Sequence, residues 1–78
     1  MRLISNNNIY DVPYDRSVIY IDKNTNGAFV VRAELIGGEE RATLCIYRSK
    51  YDAELSVARM REAAVRGDFY YQFKNATT

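Results

Sequence analysis

The chain reads as an α+β domain: an antiparallel sheet of about four to five strands in a meander, one helix packed on a face, and a C-terminal strand. Three observations carry this reading. Phe29 to Leu35 and Ala42 to Tyr47 alternate with period two on either side of Gly37-Gly38. A capped segment between Ser49 and Gly67 repeats its apolar residues at helical spacing. After Gly67, alternation returns in Phe69-Tyr70-Tyr71-Gln72-Phe73.

In order, Met1 to Ser5 is short and apolar and runs into Asn6-Asn7-Asn8, residues that favour turns and tolerate left-handed backbone. Ile9 to Val12 then reads as the return strand of a hairpin, and Pro13 ends it or confines it to an edge. Ser17 to Asp22 is β-branched and aromatic and reads as a strand. Periodicity leaves open whether Ile19 and Ile21 or Val18 and Tyr20 face the core. Asn26-Gly27 supplies a hairpin turn. In the next strand Phe29, Val31, Ala33 and Leu35 form the apolar face. Gly37-Gly38 turns the chain, with Glu39-Glu40 keeping that turn wet, and Ala42, Leu44 and Ile46 face the helix in the strand that follows.

Residues 49–66 are the helix. Ser49 is its N-cap, Asp52 stands in the capping-box position, and Gly67 is the residue wanted where left-handed backbone closes a helix. Ala53, Val57, Met60 and Ala64 fall in one stripe that packs on the sheet. The final strand, 69–73, places Phe69, Tyr71 and Phe73 on one side, and 74–78 reads as a flexible tail. Residues 1–48 form the meander, and all 78 residues make one domain.

Composition narrows the function classes. The chain has no histidine and one cysteine, Cys45. General acid–base chemistry loses its commonest agent, a zinc site loses its ligands, and an intramolecular disulfide is excluded. Cys45 lies in a strand pattern with no base nearby in sequence and reads as a packing residue. Gly37-Gly38 lacks the spacing of a phosphate loop. No catalytic residue, metal or cofactor is expected, and the chain reads as a non-enzyme. It shows neither a signal-peptide apolar region nor a membrane span, so the reading is cytoplasmic, in a reducing compartment. A net charge of +1 gives little attraction for nucleic acid.

Binding is the class that remains. Seven tyrosines and eight arginines are interface-forming residues. Leu55 lies about 160° from the centre of the packing stripe, among Arg59, Glu62 and Arg66 and flanked by Ala58 and Val65. An apolar centre with an arginine rim is a protein-contact pattern. Tyr47 and Tyr70 are expected on the open face of the sheet, because one helix cannot cover both faces. The candidate protein-binding residues are therefore Leu55, Arg59, Glu62, Arg66, Tyr47 and Tyr70, and a homodimer through either patch would extend the small core. The rival reading is a single-stranded nucleic-acid or nucleotide-binding module on a Tyr/Arg sheet face that includes Arg32.

The chain also resembles small uncharacterised proteins encoded by bacteriophages and integrated mobile elements. The likeness rests on the Met1-to-Ser5 opening, Asp11-Val12-Pro13-Tyr14 before a strand, Ile46 to Glu54 at the helix start, and the Gly67-to-Phe73 ending. Leu55 departs from it, since a charged residue is usual there. The resemblance implies an accessory protein of a bacterial host cytoplasm, acting on a host protein such as a defence component. It transfers no functional residue.

Overall fold

The computed structural model describes residues 1–38 and 40–74. The readings for Glu39 and for the tail from residue 75 lie outside them. The elements are β1 (Arg2–Ile4), β2 (Asp11–Pro13), a 3-10 turn (Tyr14–Arg16), β3 (Ser17–Lys23), β4 (Phe29–Leu35), β5 (Arg41–Tyr47), α1 (Lys50–Arg66) and β6 (Tyr70–Gln72). The fold is α+β, with the meander, helix and final strand in the expected order.

The strands form two three-stranded sheets rather than one, ordered β2-β1-β6 and β3-β4-β5. The final strand runs parallel to β1, with Leu3 opposite both Tyr71 and, on the other side, Val12. The β1–β2 turn is held by its own side chains. The fully buried Ser5 hydroxyl donates to Asn7 Oδ1 (2.6 Å) and accepts from the Tyr10 N–H (2.9 Å), so no buried polar group is stranded there. Asn8 takes the left-handed conformation at φ 63°. Pro13 sits on an edge strand, where its missing N–H costs nothing.

The core lies between the inner faces of the two sheets and α1. Leu3, Leu44, Met60 and Phe73 are its largest buried side chains. Each such residue contributes ~1.5–3 kcal/mol by leaving water. In β3 the open alternation resolves: Ile19 and Ile21 pack against the core, while Val18 stays exposed on the outer face.

In β5 the expected alternation fails halfway. Val31 pairs with Cys45 and Arg32 with Thr43, so Leu44 is an extra residue, a β-bulge. Past the bulge the inward parity flips. Cys45 and Tyr47 turn into the core at 0% and 3% exposure, and Ile46 turns out at 53%. Tyr47 is thus a core residue, contrary to its expected place on the open face, and Ile46 does not face the helix.

The helix follows its signals closely. Ser49 Oγ accepts from the Asp52 N–H (3.1 Å), and Gly67 closes the other end at φ 80°. The buried stripe is Ala53, Ser56, Val57, Met60 and Ala63. It is turned slightly from the expected one: Ala63 is buried and Ala64 only partly so. The Ser56 hydroxyl bonds back to the Ala53 carbonyl (2.8 Å), which lets a polar residue sit in the stripe. The helix packs over β4, β5 and β6.

Candidate interaction surface at the end of the helix

Spacings of four, three and four residues put Leu55, Arg59, Glu62 and Arg66 along one face of α1. Arg59, Glu62 and Arg66 are exposed there, whereas Leu55 is half-buried rather than an open apolar centre. Arg66 Nη2 donates to Asp68 Oδ2 across the Gly67 cap (2.8 Å), and this bond holds the guanidinium even more firmly protonated. The same face runs beside Tyr71. Burial raises that phenol above its ordinary value, Arg59 pulls it down, and Glu62 is among the smaller upward influences. Arg59, Glu62 and β6 therefore share one electrostatic neighbourhood.

The C-terminal end of α1 and the start of β6 carry the most exposed apolar side chains near this face. Val65 is 89% exposed and Phe69 is 91% exposed. Tyr70, also exposed as expected, follows directly. An open cleft of about 590 Å³ runs along this segment, lined by Asp68, Phe69, Tyr70, Tyr71 and Lys74 among others. A shallow depression of about 430 Å³ lies next to it on the helix, between Arg61, Glu62, Val65 and Arg66.

The structure thus keeps Arg59, Glu62 and Arg66 on the helix face beside Tyr71, with Leu55 farther back. Tyr70 is exposed on β6, and alternation with Tyr71 turns it to the other face of that strand. Tyr47 does not join them. It is buried, and its hydroxyl donates to the Lys74 carbonyl (3.0 Å). Phe69 is the residue that alternation misplaces. It shares parity with Tyr71 and Phe73, which pack edge to face at 5.1 Å, but sheet pairing starts only at Arg2 opposite Tyr70. Phe69 lies one residue before that register, its carbonyl accepting the Arg2 N–H (2.9 Å), and points its ring to water. The available signal is its position two residues after the Gly67 cap, at the very entry to the strand.

The outer face of the second sheet is a separate surface. Tyr20 stands opposite Arg32 there, and Arg32 Nε lies 3.4 Å from Asp22 Oδ2 without a hydrogen bond between them. Arg32 Nη1 reaches Thr43 Oγ1 at 3.5 Å. Since Tyr47 is buried and Tyr70 belongs to the other sheet, this face carries one of the tyrosines the nucleic-acid reading calls for. Among the described residues no group of three or more His, Cys, Asp or Glu side chains gathers. No described helix is long and apolar enough to cross a membrane. Compared with protein-family models, curated proteins and solved structures, the chain matches none.

Proposed function

We propose that this protein is a non-enzymatic binding module that holds a protein partner at the α1–β6 end. The observation that carries the reading is Phe69, 91% exposed beside the cleft and followed by an exposed Tyr70. A small domain has no internal use for an aromatic ring left in water, and solvent-facing aromatics are favoured interface anchors. Arg59, Glu62 and Arg66 supply the charged rim, and Val65 extends the apolar area. The resemblance to phage and mobile-element proteins suggests a host protein of the bacterial cytoplasm as the partner.

The test is affinity capture from bacterial lysate with wild type and Phe69→Asp in parallel. A protein retained by wild type and lost from the variant, with an unchanged melting temperature, supports the reading. Equal retention by both overturns it. The alternative, single-stranded nucleic acid on the outer sheet face, rests on the Tyr20–Arg32 pair. It requires binding of an oligonucleotide that weakens steeply with salt and disappears in Arg32→Ala.

A further inference from the structure

The two sheets leave four strand edges, and three of them are blunted. The β2 edge is three residues long and contains Pro13. The β6 edge is also three residues long. On β5 the outer edge carries the bulge, and the Leu44 carbonyl already accepts the Asn6 N–H at 2.9 Å. The fourth edge, β3, is seven residues long, with no proline and no bulge. Natural sheets rarely leave such an edge unguarded.

The backbone direction of β3 follows from its flanking bonds. The Ile36 N–H donates to the Arg16 carbonyl (2.8 Å) and the Asn24 N–H to the Ala28 carbonyl (2.9 Å). Even-numbered residues therefore bond toward β4, and Ile19, Ile21 and Lys23 aim their N–H and C=O groups outward. Among the described residues no strand pairs with that side, and Ser17, at the start of β3, gives its N–H to the Tyr14 carbonyl. Ile19 and Ile21 are only part-buried, and α1 packs mainly over β4, β5 and β6.

We propose that β3 pairs antiparallel with β3 of a second copy, with Tyr20 on the two-fold axis, to form one continuous six-stranded sheet. The edge is complementary to itself. In this register all seven residues stand opposite a partner, and Ile19 lies opposite the second copy's Ile21, exchanging ladder hydrogen bonds. Like charges never meet: Asp22 faces Val18 and Lys23 faces Ser17. Moving the axis to any other residue leaves part of β3 unpaired, and placing it on Asp22 or Lys23 would also oppose identical charges. Charge and length together therefore select this one arrangement. The dimer uses a different surface from the α1–β6 site and stands or falls separately.

Tyr20 would form a non-hydrogen-bonded pair with its counterpart, with Cα atoms about 4.5 Å apart, within disulfide reach. Two copies of Val18 would sit ~13 Å apart, out of reach. The experiment oxidises Tyr20→Cys and Val18→Cys side by side at ~100 μM protein, with the wild-type mass followed by light scattering; the native Cys45 is fully buried. The expected result is a wild-type mass of twice 9.0 kDa and cross-linking at least ~10-fold faster for Tyr20→Cys. Phe69→Asp should leave the dimer intact, which separates failure here from failure of the partner site. A mass of 9.0 kDa at every concentration up to ~1 mM, or equal cross-linking of the two variants, overturns the proposal.

Discussion

The Tyr47 hydroxyl donates to the backbone carbonyl of Lys74 over 3.0 Å, tying the end of β5 to the chain beyond β6. The contact exists because the Leu44 bulge turns Tyr47 inward, beneath the C-terminal segment. Tyr47→Phe keeps the ring and removes this bond together with the hydroxyl's side-chain hydrogen bonding to Cys45 and Ser56, so stability should fall by at least about 1 kcal/mol. In a domain this small that corresponds to a melting temperature lower by ~4–8 °C. An unchanged melt would mean that the hydroxyl holds nothing.

The same burial makes the fold sensitive to alkali. Burial, aided by Cys45, raises the Tyr47 phenol above its ordinary value, and burial raises Tyr71 as well. For an acid raised in the folded state, the stability contribution is complete below the unfolded value of about 10 and is lost as pH rises above it. Denaturant melts should therefore be flat from neutral pH to ~9 and then decline. For Tyr47 the slope is at most about 1.4 kcal/mol per pH unit. The double variant Tyr47→Phe, Tyr71→Phe should flatten the decline; an equally steep curve in that variant would assign the loss to other groups.

These two tyrosines also mark where sequence stops being legible. Strand and helix positions follow from local signals: alternation in β4, the Ser49 cap and the Gly67 stop all act within a few residues. The Leu44 bulge leaves no such signal, because Ala-Thr-Leu-Cys-Ile-Tyr alternates smoothly whether or not one residue is extra. One unpaired residue then exchanges the fates of Ile46 and Tyr47. The parallel pairing of Leu3 with Tyr71 is equally hidden, since it joins opposite ends of the chain and depends on the whole path between them. Of the candidate site, the helix face was legible from its 4-3-4 spacing. The exposure of Phe69 was not, because it depends on where that long-range register begins.

The helix ends give separable costs. Ser49→Ala removes the acceptor of the Asp52 N–H and should lower stability by about 1 kcal/mol. Gly67→Ala meets no atom within 4 Å of its new Cβ, so its cost is purely conformational, from a φ of +80°. That strain is about 1–2 kcal/mol. The two sites lie at opposite ends of α1 with no shared partner, so chemical denaturation of the double variant should show the sum of the two losses. A clearly smaller combined loss would indicate that one end is already frayed.

Leu3 and Val65 set the scale between core and surface. Leu3 is fully buried at the centre of β1, flanked in register by Val12 and Tyr71, so it holds the smaller sheet together through both neighbours. Leu3→Ala should cost ~2–5 kcal/mol. That is comparable with the whole stability of a single-core domain of this length, and it should leave much of the protein unfolded at 37 °C. Val65→Ala removes methyl groups that are 89% exposed and should shift stability by no more than ~0.5 kcal/mol. Its effect belongs instead to partner capture, where losing apolar area at the α1–β6 surface should weaken retention. Circular dichroism melts on both variants, with capture measured on Val65→Ala, separate the two roles. A marked loss of stability in Val65→Ala would show that the end of the helix is held by contacts of its own.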